Sequence, residues 1–131
     1  MTNSVNDAFT DGRRDKPFDL TERTAQFGEA VIEFCRSVRQ DAITRPLISQ
    51  VVRSSTSVGA NYCEADEAGT KKEFRYRINI CTRESRESKH WLRMLARAAP
   101  QQREQSRVLW KEAHELNLIF ASIFRRSDPD Q

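Results

Sequence analysis

The sequence predicts an all-α fold, an up-down-up-down antiparallel four-helix bundle. Three observations carry that reading. Apolar residues recur at alternating spacings of three and four along four stretches, so each stretch has one apolar helical face. Helix breakers are scarce, with four Gly and four Pro in 131 residues and only Pro46 between Asp19 and Gly69. Helix-start signatures precede the first and third stretches, and the links are short. One domain, residues 19–126, accounts for the bundle, with 1–18 expected as a flexible tail and 127–131 as a C-terminal tail.

Asp19 with Glu22 forms a capping box, with Phe18 just outside it. Leu20, Thr24, Phe27, Val31, Phe34 and Val38 then mark the buried stripe of a first helix predicted to reach about Gln40. Asp41 to Thr44 makes a short turn, and Pro46 stands where a first helical turn tolerates it. The second helix turns Ile48, Val51, Ser55, Val58, Tyr62 and Ala65 inward and is expected to end at Gly69 through a left-handed backbone. Thr70 with Glu73 forms a second capping box, so the third helix starts almost at once and runs back along the second. Its inward stripe is Phe74, Ile78, Cys81, Ser85, Ser88, Leu92 and Leu95. About 28 residues before Pro100 make it roughly 40 Å long. The fourth helix turns Leu109, Ala113, Leu116, Phe120 and Ile123 inward.

Small residues crowd the middle of the second helix, from Ser54 to Ala60, and the third answers with Ser85 and Ser88. Their hydroxyls can bond the carbonyl of the preceding turn and so be buried without loss. Gly59 in mid-helix costs about 1 kcal/mol relative to Ala. It is therefore read as a packing residue where the second and third helices come close.

Composition removes several classes. Hydrophobic residues at 37% and charged ones at 31% suit a folded helical protein. Cys35, Cys63 and Cys81 are odd in number and lack CxxC spacing, which argues against a disulfide framework or zinc site and for buried thiols in a reducing compartment. No apolar run approaches the ~18 residues of a membrane span. The first residues lack the apolar core of a signal peptide, so a cytoplasmic location is expected.

The net charge of +3 is unevenly spread: residues 70–99 carry nine Lys/Arg against three acids, and the rest of the chain is net negative. Along the third helix Lys72, Arg75, Asn79, Arg83, Arg86, His90, Arg93 and Arg97 follow one another at three- and four-residue steps, opposite the apolar stripe. Such an edge can hold phosphates, with Lys71 assisting at the helix start. It can equally be a solvated face or one paired to the acidic first and second helices.

Asn61, Glu64, Glu84 and Glu87 flank the seam and are read, with Ser55 and Gly59, as structural residues. The carboxylates pair with Arg53 or Arg77, because no nucleophile and base can be assembled around them. Glu87 and His90 match the ExxH step of di-iron bundles. A second pair is lacking, since residue 111 before His114 is Lys, so neither a metal nor another cofactor is expected. Trp91, Trp110, Leu118 and Phe124 lie beside the apolar stripes and are read as contacts between subunits of a homo-oligomer.

Several of these residues resemble one family. Arg23-Thr24 with Phe27, Gln50, the run Arg53 to Asn61, Glu64-Ala65, Lys71 to Phe74, Glu84, Glu87 and Trp91-Leu92 are similar to the proteins encoded by intervening sequences of bacterial 23S rRNA genes. The resemblance covers about Asp19 to Ala98; Cys81 departs from it, and the segment after Pro100 matches only in helical character. It implies a four-helix protomer in a homo-oligomeric ring, a pentamer. A related branch is the accessory variability determinant protein of diversity-generating retroelements, whose partners are a reverse transcriptase and RNA. The expectation is a non-enzymatic module that binds RNA, or DNA, through Lys72, Arg75, Arg83, Arg86, Arg93 and Arg97. The rival is a protein-interaction scaffold, such as a reverse-transcriptase accessory subunit, with no nucleic-acid role of its own.

Overall fold

Local capping fixes where the helices start in the computed structural model, which describes residues 19–130. The tail expected for residues 1–18 lies outside the described residues. Helix α1, Leu20–Arg36, opens with the Asp19 carboxylate accepting from the Glu22 amide at 3.3 Å. Helix α3, Lys71–Ala98, opens with the Thr70 hydroxyl accepting from the Glu73 amide at 3.1 Å. Helix α2, Thr44–Asp66, starts from a turn closed on both sides. The Asp41 carboxylate accepts from the Ile43 and Thr44 amides, each at 2.9 Å, while the buried Thr44 hydroxyl accepts from the Asp41 amide and donates to the Arg39 carbonyl. Pro100–Gln102 forms a 3-10 turn that leads into α4, Arg103–Arg126. Among the described residues there is no strand.

Two boundaries differ from the sequence expectation. Helix α1 stops at Arg36 rather than near Gln40, because the Ser37 hydroxyl and amide both donate to the Phe34 carbonyl and close the last turn. Val38 stays buried although it lies beyond the helix, so the apolar spacing outlasts the helical backbone. Helix α2 ends at Asp66, and Gly69 does not take the left-handed conformation expected of it. The Glu67 and Ala68 amides instead return to the Cys63 and Ala65 carbonyls.

Helix α3 packs along both α2 and α4, and α1 lies on α2 with a lighter contact to α4. The shared interior holds Phe27, Val31, Val51, Val58, Ile78, Leu92, Leu95, Leu109, Leu116 and Phe120. Between α2 and α3 the contacting pairs are Ser54 with Ser88, Val58 with Cys81, and Asn61 with Arg77, so numbers fall in one helix as they rise in the other. Between α3 and α4 the same holds for Leu92 with Ser106 and Thr82 with Asn117. The buried hydroxyls are bonded. Ser54 Oγ lies 2.9 Å from Ser88 Oγ, Ser106 donates to the Leu92 carbonyl at 2.6 Å, and the Asn117 amide donates to the Thr82 carbonyl at 2.7 Å. Leaving such a group unpaired would cost about 1–3 kcal/mol.

Glycine serves a different contact from the one expected. A Cβ at Gly59 would stand 3.2 Å from Thr24 Oγ1 and 3.5 Å from the Thr24 backbone, and Gly28 meets Thr56 and Ser55 in the same crossing. The closest glycine-mediated approach is therefore α1 on α2, while hydroxyl pairing joins α2 to α3.

One ion pair is nearly buried. Arg23 of α1 donates to both Glu112 oxygens at 2.7 and 2.8 Å and to Glu115 at 2.9 Å. Burial pushes the Glu112 carboxyl up from its ordinary range, and the Arg23 hydrogen bond pulls against that rise.

Candidate functional site

The three- and four-residue steps of α3 place Lys72, Asn79, Arg83, Arg86, His90, Arg93 and Arg97 on its exposed side. Among the described residues, Lys72, Arg83, Arg86, Arg93 and Arg97 make no ion pair with a carboxylate; the cations that do are Arg23, Arg36, Arg53 and Arg107. Arg75 stands apart from this row. Its guanidinium donates to the Phe124 carbonyl at 2.7 Å and the Ser127 hydroxyl at 3.0 Å, and lies 4.0 Å from the centre of the Phe124 ring. It binds the last turn of α4, where free carbonyls favour a cation.

On the other flank of α3, toward α2, the carboxylates are paired. Arg53 reaches Glu84 at 3.3 Å and Glu87, and the Trp91 indole donates to Glu87 at 2.9 Å. The Trp91 hydrogen bond, ahead of Arg53, holds the Glu87 carboxyl below its ordinary range. Asn61 donates to the Ser57 carbonyl and accepts from Arg77 at 3.1 Å. Ser55 is buried, and Glu64 is exposed with no side-chain partner among the described residues.

The aromatic residues expected at a subunit contact are partly occupied within the chain. Phe124 lies under Arg75, Trp91 carries His90 edge-on at 4.8 Å, and Trp110 stacks on His114 at 5.2 Å and 14°. Leu118 remains 54% exposed, and the sequence reading missed Tyr76 at 61% and Ile43 at 67%.

It also missed a second row of cations. Arg103, Arg107 and Lys111 follow at four-residue steps on α4, a spacing visible in the sequence. With Arg93 they surround a groove of about 460 Å³ between α3 and α4, floored by Ala96 and Trp110. A neighbouring hollow of about 560 Å³ shares Arg93, Ala96 and Arg103 and adds Arg97.

The thiols do not extend this chemistry. Burial pushes Cys35 up to about 11 and Cys81 up to about 12, which keeps both protonated, and Cys63 is exposed. Among the described residues no group of three His, Cys, Asp or Glu side chains is placed to hold a metal ion, and no helix is long and apolar enough to cross a membrane.

Among the described residues, fold and site together define an all-α protein of four helices with a cationic outer edge on the third. The chain belongs to the 23S rRNA-intervening sequence protein family, whose sequence profile matches residues 16–122. It is also similar to a solved protein of unknown function from the S23 ribosomal protein family of Bacteroides thetaiotaomicron. That structure superposes with a TM-score of 0.70 at 26% identity, over 79% of this chain and 96% of the other. No match was found among curated proteins.

Proposed function

We propose that this chain is a non-enzymatic binding module that holds RNA by its phosphates along the outer edge of α3. The observation that carries the reading is the row Lys72, Arg83, Arg86, Arg93 and Arg97, exposed and without carboxylate partners among the described residues. Cations left unpaired along one side of one rod suit a polyanion better than an internal salt-bridge network. The falling and rising contact pairs support an up-down-up-down bundle. Exposed Leu118 and half-buried Trp91 support assembly into a homo-oligomeric ring, for which the family suggests five subunits in the cytoplasm. A ring repeats the edge and raises avidity for a long polyanion.

A salt titration of binding to a structured RNA tests the reading. Each phosphate neutralised adds about 0.7–0.9 to the slope of log K against log salt, so four contacts weaken binding by about three orders of magnitude per tenfold rise in salt. Arg86→Glu with Arg93→Glu is expected to abolish binding while the oligomer keeps its mass. No binding at low salt removes the proposal. Collapse of the oligomer in that double variant favours the scaffold reading, in which the edge is used between subunits.

A further inference from the structure

The groove between α3 and α4 has properties that a phosphate-binding edge does not require. Its wall is cationic: Arg93 comes from α3, and Arg103, Arg107 and Lys111 come from α4. No carboxylate lines it, although Arg107 pairs with exposed Glu104 at 3.8 Å. Its floor is apolar, formed by Ala96, Leu92 and the indole of Trp110. Phosphates gain nothing from such a floor, whereas a flat heteroaromatic base does.

The indole is held in place by contacts within the chain. His114 stacks on it at 5.2 Å, and Lys89 Nζ lies 5.3 Å from its centre. Lys89 and His114 are themselves 3.0 Å apart, which places them over the same face of the ring. They hold the indole from one face, and Trp110 also lines the groove. About 460 Å³ is within the ~300–1,000 Å³ common for pockets that take small planar ligands.

We propose that this groove is a base-stacking site for single-stranded nucleic acid. Trp110 receives an unpaired base, and Arg103, Arg107 and Lys111 hold the phosphates on either side of it. The site rests on the phosphate-binding reading above and extends it, because Arg93 belongs to both the α3 edge and the groove, and Arg97 lines the hollow beside it. A duplex cannot use the floor, since its bases are stacked on one another, so the site selects loops, ends and unpaired strands.

Fluorescence anisotropy on the full chain separates the two readings. The probes are a short oligouridylate, an oligothymidylate, an abasic strand of equal charge, an RNA duplex and polyglutamate. Oligouridylate is expected to bind about tenfold or more tighter than the abasic strand, as one stacked base provides. Trp110→Leu should bring oligouridylate down to the abasic level, and Trp110→Phe should retain most of the preference. Arg103→Glu with Lys111→Glu, both on exposed positions, should weaken the base-bearing and abasic strands alike. The oligothymidylate arm reports whether the bound strand is RNA or DNA, and tight binding of either supports stacking. Equal affinity for base-bearing and abasic strands overturns the stacking site while leaving the phosphate edge intact, and so does a Trp110→Leu protein of native helicity with undiminished preference. Polyglutamate binding as tight as oligouridylate overturns it in favour of an acidic protein segment. Failure of every polyanion to bind at low salt removes the phosphate reading itself.

Discussion

Gly28 and Gly59 are both mid-helix glycines, yet the space in front of them differs. A Cβ at Gly28 would meet Thr56 at 3.5 Å, an ordinary contact. At Gly59 it would press on Thr24 Oγ1 at 3.2 Å, and that hydroxyl is held by its 2.7 Å bond to the Leu20 carbonyl. Gly28→Ala is therefore expected to stabilise by up to about 1 kcal/mol through helix propensity. Gly59→Leu should cost about 1–3 kcal/mol by overpacking. Urea midpoints compare them, and equal shifts would show that the α1–α2 approach is not tight. The cysteines allow a chemical check at the same scale. Iodoacetamide at mildly alkaline pH should place at most one adduct on the folded chain, at exposed Cys63, with Cys35 and Cys81 alkylated only in denaturant. Mass spectrometry counts the adducts. Most buried positions were legible from spacing alone, because Phe27, Val58, Ile78 and Leu116 repeat with the helical period. The contact of Arg75 with the end of α4 was not legible, for the opposite reason. Spacing gives a residue's angle around its own helix but not that the end of α4 lies over it.

At the scale of helices, Arg23 and Glu112 tie α1 to α4, the lightest of the main helix contacts. Arg23 is 23% exposed and Glu112 only 4%, so removing the arginine leaves a carboxylate with little water to replace it. Arg23→Met is expected to destabilise near neutral pH toward the lower end of the ~3–5 kcal/mol seen when a buried pair is broken. Because the folded-state value of Glu112 lies above its ordinary 4.5, the folded chain holds this proton more tightly than the unfolded one. The contribution of the carboxyl is thus most favourable at low pH and declines as pH rises through 4.5 to the raised folded value. Without Arg23 that value rises further, so the loss measured by urea unfolding should be smaller near about pH 5 than at neutrality. A loss independent of pH would mean that the arginine acts by packing alone. The pairing was not legible in the sequence, since the partners stand 89 positions apart with no periodic signal. The caps at Asp19 and Thr70 were legible because both partners lie within one turn. The end of α1 was not, since the apolar spacing runs on through Val38 after Ser37 has closed the helix.

Among the described residues, the exposed large apolar side chains sit on separate elements of the molecule: Ile43 before α2, Tyr76 on α3 and Leu118 on α4. A single exposed Leu is ordinary. A ring, however, is built from heterologous contacts in which each subunit offers two different surfaces, so separated apolar points on one protomer suit it better than a two-fold dimer. If the ring has five members, its mass is five times 15.2 kDa, about 76 kDa. If the proposed ring uses Leu118, Leu118→Glu puts a charge into that contact and should shift the mass toward 15.2 kDa while helicity is kept, because Leu118 faces solvent within its own protomer. Light scattering after size exclusion reads both values. A wild-type mass of one protomer would remove the ring and the avidity it lends to the α3 edge. An unchanged mass in Leu118→Glu would move the contact to the Tyr76 or Ile43 surface, where the same substitution repeats the test. On the proposed reading, RNA affinity should fall with the mass in any variant that breaks the ring, since each freed protomer would retain its own row of arginines but lose the neighbours that hold the same strand.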